Sequence, residues 1–373
     1  MYPIAKKMSR DGSSVLFSTY GDAIGLVRRE GLPIVESPTL ALDFGGNGAV
    51  DVRWSLVKYG ARAVFTILEQ VASEIRCIRT YSPDVVLSDT RISTILAAKI
   101  LGLPVILILN QFQVLVPRGR RLLTISRLVD AGALALIGRL WSLSDRVMIP
   151  DLPPPFTVSL LNLQVPSGLL KKAELIGPIV EKRCQDLPES EEIRKKYGLD
   201  DRPLVFVSFG GSQAEEFLKE KMVKIAMDFP RDMQLVVSLG QPGNHVGRGL
   251  STGNLRVYPW IPSQLEMIKA CDVMVGRAGH STIMQAVSCG KPMVLVPIPN
   301  HTEQLSNALG AQRLGIARAL RQEEFNRTSL LSEIKTILEF RSYGRRAAEV
   351  GGFAQRFDAV GRVVEAVTAF ARK

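Results

Sequence analysis

The sequence predicts an α/β protein built from two doubly wound, Rossmann-like parallel-sheet domains with a cleft between them. Three observations carry this. Short apolar runs alternate with helical patterns in both halves of the chain, as strands and covering helices do in parallel sheets. The stretch Ile179 to Arg202 is polar, charged and prolyl, and reads as a connection between two such series. A chain of 373 residues is also long for one core. The expected division is 1–178 for the first domain, 179–203 for the connection, 204–350 for the second domain and 351–373 for a terminal helix.

In chain order, Met1 to Met8 lacks the apolar run of a signal peptide and reads as the last turns of a helix ending at Gly12. A parallel α/β domain normally places a strand and loop ahead of such a helix, so the first strand and its loop are expected to be missing. Strands are then predicted at Val15–Ser18, Val85–Ser88, Val105–Leu109, Arg146–Ile149 and Leu175–Ile176, with helices near Val52–Thr80, Arg91–Leu101 and Leu122–Trp141. The connection holds one short helix, Glu189–Tyr197. The second series runs through Leu204–Phe209, Leu235–Leu239, Leu255–Tyr258, Val273–Val275 and Met293–Val296, and the chain is helical after Glu324.

Composition narrows the function. A net charge of +11, with most of the excess before Arg183, points to an anionic partner: a nucleotide, a membrane surface or a nucleic acid. Aromatic residues make up only 6% and no recognition-helix motif is visible, which argues against nucleic acid. Cys77, Cys184, Cys271 and Cys289 lie far apart, without metal spacing, so neither a disulfide framework nor a metal site is expected, and the compartment is read as reducing and cytoplasmic. No run is long and apolar enough to span a membrane; Leu96 to Leu109 is broken by Lys99 and by Gly102-Leu103-Pro104. The segment Pro117 to Trp141 mixes five arginines with Leu, Ile and Trp, which suits peripheral contact with an anionic membrane and equally suits an ordinary covering helix.

The chemistry is concentrated at two glycine-rich turns. Leu204–Phe209 runs into Gly210-Gly211-Ser212 ahead of a helix over Ala214 to Asp228, and Val273–Val275 runs through Arg277 into Gly279-His280-Ser281-Thr282. Helices that open directly after a strand present unbonded amides and a positive dipole end, a natural seat for a diphosphate, and both turns should share one rim of one sheet. Glu303 and Gln304 open a later helix, where a carboxylate and an amide side by side can hold sugar hydroxyls; capping alone is the plainer reading of Glu303.

These motifs, together with Pro259-Trp260-Ile261-Pro262, Gly290-Lys291-Pro292 and Asn307-Ala308, resemble the donor-binding half of GT-B glycosyltransferases. They are most similar to the family 28, MurG-like UDP-GlcNAc transferases. The resemblance implies that backbone near Ile261 holds uracil, Gly279 to Thr282 the diphosphate, and Glu303 and Gln304 the donor hexose. It also implies that the terminal helix crosses back to the first domain. Where such enzymes commonly carry a ribose-binding glutamate this chain has Gln285, which can accept one bond and donate another. In the first half, Phe17 to Gly21, Pro83 to Asp89 and Leu109-Asn110-Gln111 resemble the acceptor side, so Asn110 and Gln111 are expected to face the acceptor.

Family members have a base histidine in the loop that this sequence lacks. Of the three histidines, His245, His280 and His301, all fall in the donor half. His280 is a candidate for offsetting leaving-group charge, and Asp89 a candidate base or orienting carboxylate. The expected activity is metal-independent, inverting transfer of a hexosyl group, GlcNAc by preference, from a UDP-sugar to a polyprenyl-linked or glycan acceptor at the inner face of a membrane, with no cofactor. The alternatives are a UDP-sugar epimerase and a non-catalytic nucleotide-sugar-binding subunit that needs a partner chain.

Overall fold

The computed structural model describes residues 1–21, 23–39, 52–112, 137–160, 163, 168, 169, 171–211, 216–241 and 250–372, with backbone only over 52–64. Ser212, His245 and most of the arginine-rich segment 117–141 lie outside the described residues.

In the first lobe the strands are β1 (Phe17–Thr19), β2 (Ile34–Glu36), β3 (Val86–Asp89), β4 (Val105–Ile108), β5 (Arg146–Ile149) and β6 (Ala173–Leu175), with helices α1 (Tyr2–Arg10), α2 (Ala23–Arg29), α3 (Val52–Tyr81) and α4 (Ile92–Ile100). β3-β4-β5-β6 form one parallel sheet, whereas β1 and β2 pair only with each other. The predicted single sheet is thus in two pieces, and among the described residues no ladder joins β1 to β3. Side chains tie them instead. Arg91, just after β3, donates to Ser18 O (2.9 Å), Ser37 Oγ (2.8 Å) and the buried Glu74 carboxylate of α3 (2.7 Å). A charge held by three oxygens in this way is tolerated inside a fold where an isolated one is not.

The sheet of four is apolar on both faces, the pattern expected where helices cover it twice. Ile78, Ile95, Leu107 and Trp141 fill the core on one side, beneath α3 and α4. On the other, Ile4 of α1 packs with Ile106, Met148, Val363 and Val367. The last two belong to the terminal helix, so that helix does lie against the first lobe. α4 ends where Gly102 takes φ +74°, a left-handed position natural to glycine.

The connection carries α5 (Ser190–Lys196), whose Ile193 is buried in the core of the second lobe. That lobe comprises β7 (Leu204–Ser208), α6 (Glu216–Met227), β8 (Gln234–Ser238), β9 (Leu250–Thr252), β10 (Leu255–Tyr258), α7 (Gln264–Ala270), β11 (Val273–Gly276), α8 (His280–Ser288), β12 (Met293–Leu295), α9 (Thr302–Arg313), β13 (Ala317–Ala319), α10 (Arg327–Glu339) and α11 (Ser342–Ala354). After a short turn α12 (Ala359–Ala371) returns to the first lobe, its N-terminus capped by Asp358, which accepts from Gly361 N at 2.9 Å.

The sheet order is β13-β12-β11-β7-β8-β10-β9, parallel throughout except for β9. β7 and β8 are buried at every residue, which fits their near-continuous apolar sequence. From β7 the chain winds outward to β8 and later returns to β11 on its other side. β7 and β11 therefore flank the switch point where open parallel sheets bind ligands beyond their carboxyl ends.

Candidate functional site

The two glycine-rich turns meet at that switch point. β11 pairs with β7 in the register Gly276 to Ser208, so the chain leaves both strands side by side on one rim. Part of the glycine content there answers to packing. A Cβ on Gly276 would stand 2.9 Å from Ser208 O, and one on Gly211 would stand 2.6 Å from Gly240 O, so these glycines let neighbouring loops touch. Gly210, at φ +97°, turns the chain at the end of β7.

Gly279 differs from them. A Cβ there would meet nothing within 4 Å, and its φ of −67° is ordinary. It is the N-cap of α8, and among the described residues no side chain caps this helix. The first backbone bond runs from Ile283 N to Gly279 O at 3.1 Å, which leaves the amides of His280, Ser281 and Thr282 without intrahelical acceptors beneath open space. The neighbouring helices contrast with this: Ser263 caps α7, and the His301 ring caps α9 by accepting from Gln304 N. Unbonded amides at a helix start carry the positive end of the helix dipole and suit an anion.

Around this opening the sequence-predicted residues take distinct places. Arg277 is buried, and its Nη1 donates to Val296 O (3.1 Å) and Gln322 Oε1 (2.8 Å), bracing the ends of β11 and β12 from beneath. Ser281 is exposed and Thr282 half-buried at the helix opening. Gln285, one turn on, accepts from Gln264 Nε2 at 3.1 Å. Ile261 is buried at the start of the loop into α7, and the indole of Trp260 beside it is covered by Arg29 of α2, 4.6 Å from the ring centre. That stacking joins the lobes.

Across the cleft, Asn110 donates to Glu303 Oε1 at 3.0 Å, so the predicted acceptor-side and hexose-side residues meet directly. Gln304 turns its carbonyl oxygen to Ile298 N (3.0 Å), which fixes the loop after β12 and leaves the amide nitrogen for another partner. Gln111, next to Asn110 in the loop beyond β4, is half-buried.

Asp89 ends β3 on the cleft wall. Water reaches its side chain, yet protein crowds around the carboxylate; this desolvation, with the negative field of Glu303, raises its pKa above the ordinary value.

His280 is buried, not displayed. Its Nε2 lies 3.4 Å from Asp151 Oδ2, close to the carboxylate but misaligned for a hydrogen bond. Asp151 did not emerge from sequence reasoning. The available signal was an aspartate just beyond an apolar strand and followed by Pro153-Pro154-Pro155, a charge in a place that offers little water.

A basic groove of about 830 Å³, lined by Arg313, Arg318, Arg345 and Arg346, lies at the opposite end of α9 and contains none of these residues.

Comparison with known proteins bears on this arrangement. The family model for the glycosyltransferase family 28 C-terminal domain matches residues 204–358. An uncharacterised glycosyltransferase of Methanopyrus kandleri is 27% identical over 345 residues, covering 91% of this chain and 92% of its own. The UDP-N-acetylglucosamine–N-acetylmuramyl-(pentapeptide) pyrophosphoryl-undecaprenol N-acetylglucosamine transferase of Aquifex aeolicus is 31% identical over 164 residues, 43% of this chain and 47% of that one. Among solved structures, the spinosyn rhamnosyltransferase SpnG superposes with a TM-score of 0.68 at 16% identity, covering 99% and 95% of the two chains. Acinetobacter baumannii MurG does so at 0.58 and 18% identity, covering 98% and 94%. At such identities the structural likeness establishes a common fold.

Proposed function

We propose that this chain, a GT-B glycosyltransferase of the family 28, MurG-like kind, moves a hexosyl group, GlcNAc by preference, from a UDP-sugar to a polyprenyl-linked or glycan acceptor. The observation that carries the reading is the uncapped N-terminus of α8 under open space at the β7/β11 switch point. In this reading the amides of His280 to Thr282 take the diphosphate, with Gly210 and Gly211 on its other side. The backbone at Ile261 faces uracil, Gln285 a ribose hydroxyl, and Glu303 with Gln304 the hexose hydroxyls. Arg277 serves by keeping the loop in place.

The reaction is a displacement. The acceptor hydroxyl attacks the anomeric carbon, the bond from that carbon to the β-phosphate oxygen breaks, and its electron pair leaves on UDP. The departing diphosphate gains negative charge, which the helix amides meet without reorganising, so they favour the transition state over the ground state. The hydroxyl proton needs a base. Asp89 is assigned that role because its raised pKa makes it a stronger proton acceptor than an ordinary carboxylate. One such displacement inverts the anomeric centre, and no step uses a metal. Asn110 and Gln111 line the acceptor side. No described helix is long and apolar enough to cross a membrane. In this reading a polyprenyl-linked acceptor is met by peripheral contact, at the cytoplasmic face.

Calorimetric titration with UDP and UDP-GlcNAc, against dTDP-glucose as comparator, tests the donor assignment. Tighter binding of the uridine compounds is expected, and absence of binding by all three sinks it. UDP release that appears only when a glycan or polyprenyl acceptor is added distinguishes transfer from epimerisation, and unchanged release in EDTA is expected.

A further inference from the structure

We infer that segment 151–159, which leaves β5 of the first lobe, is a strut that sets the position of the diphosphate loop in the second, with Asp151 a positioning residue acting through His280. The inference rests on the donor-binding reading given above. Two residues of this segment, Leu152 and Val158, are fully buried in the core of the second lobe although the strand before them belongs to the first.

The strut grips the loop on both sides of Gly279. On one side stands Asp151, fully buried. Its Oδ1 accepts from Leu152 N (2.7 Å) and Val158 N (3.2 Å), and its Oδ2 from Ser159 N (2.8 Å). Three amides thus fix the carboxylate so that Oδ2 faces His280 Nε2 at 3.4 Å, an atom shut off from water and without a hydrogen-bond partner among the described residues. Burial alone would raise the Asp151 carboxyl, but His280 and the amides outweigh it and hold the group below the ordinary carboxylate value, hence ionised. On the other side stands Asn307 of α9, also fully buried. Its Oδ1 accepts from Ser159 Oγ (3.1 Å) and its Nδ2 donates to Ala278 O (3.2 Å). Ala278 and His280, the two neighbours of Gly279, are therefore both referred to one piece of chain.

The fit leaves little play. A Cβ on Gly310 of α9 would stand 1.9 Å from Val158 O, so the helix is pressed directly on the strut. His280 is the first residue of α8, and its amide is the first of the three uncapped donors. Holding its imidazole fixes where that amide points. Catalytic geometry tolerates errors well below 1 Å, so a support of this kind governs the transition-state contacts more than the stability of the fold.

The test is a double-mutant cycle. Asp151→Asn, His280→Gln and the double variant are compared with the unaltered protein for the UDP dissociation constant by calorimetry, donor KM and kcat, and melting temperature. Each single change is expected to weaken UDP binding at least tenfold, and the double variant to lose no more than about twofold beyond the weaker single, because both act through one contact. Losses that multiply, or UDP binding unchanged while the melting temperature falls, overturn the inference and leave Asp151 as a brace of its own turn. If Asp151→Asn does not fold, Ser159→Ala removes the tie to Asn307: weaker UDP binding by threefold or more is expected, and unchanged binding refutes the strut. Should the unaltered protein itself not bind UDP, the donor assignment falls and the strut's role falls with it; equal binding by all variants refutes the strut alone.

Discussion

Placing an acidic cap on α8 should stabilise the protein and disable its ligand site at once. Gly279 occupies the N-cap with extended backbone, φ −67° and ψ 135°, and a side chain there would enter open space, so Gly279→Asp is sterically free. The new carboxylate can accept from the amide of Ser281 or Thr282. Relative to glycine such a cap adds a few tenths of a kcal/mol, and its charge at the positive helix end adds ~0.3–1 kcal/mol. For a lobe of this size that is a rise of about 1–4 °C in melting temperature. The same carboxylate occupies the seat of the diphosphate. Losing one hydrogen bond to a charged ligand costs about 1.5–3 kcal/mol, or ~10- to 150-fold in affinity, before any charge repulsion. Gly279→Asn, which caps without charge, should show a smaller loss. Scanning fluorimetry and calorimetry with UDP read both quantities on the same samples. UDP binding within twofold of the original in a variant that melts higher would mean that the anion does not sit on this helix.

Other outcomes follow from the same structure. Asp89→Asn should lower kcat by ~10²–10⁴ if Asp89 is the base. The original enzyme's rate should rise with pH through a midpoint above the ordinary aspartate value of about 3.9, since only the ionised form accepts a proton and its pKa is raised; a pH–rate profile shared by both proteins would remove Asp89 from the chemistry. Gly310→Ala, whose methyl would stand 1.9 Å from Val158 O, should destabilise by about 1–3 kcal/mol or more in chemical denaturation, and an unaltered midpoint would mean that α9 and the strut are not in contact. Glu303→Ala should raise the donor KM for UDP-GlcNAc while leaving affinity for UDP nearly unchanged, because the hexose is absent from UDP; equal losses for both ligands would place Glu303 elsewhere. The Asp151 carboxyl, held below its ordinary value, contributes stability that is present above the unfolded aspartate pKa and lost as pH falls through the folded one, so the acid limb of the melting curve should flatten in Asp151→Ala.

The apolar strands and the glycine turns were readable because their signals are local. Leu204 to Ser208 has no polar residue before its last position, and a buried parallel strand is the structure that such a run satisfies. β2, β9 and β13 escaped because each is three residues long and none carries a sustained apolar run; their pairing is set by neighbours distant in sequence. The side chains around the loop were harder still. Arg277 stands beside the second glycine turn in sequence, and a carbonyl and an amide that its guanidinium meets come from Val296 and Gln322, far along the chain. His280 was singled out as a charge near the leaving group, whereas its partner, Asp151, comes from the other lobe. Spacing within a segment cannot reveal a contact of that kind.

The winding of the chain between the lobes has a practical meaning. Leu152 and Val158 of segment 151–159 are buried in the second lobe, the chain returns for β6, crosses again through the connection, and comes back as α12. Neither half is therefore a detachable module. Expressed alone, the first 178 residues would bare Leu152 and Val158 to water and leave Ile4, Ile106 and Met148 uncovered by Val363 and Val367. Genetic dissection at the linker should give two sticky fragments, because the lobes are stitched together at more than one point along the chain and have no seam at which they can be parted.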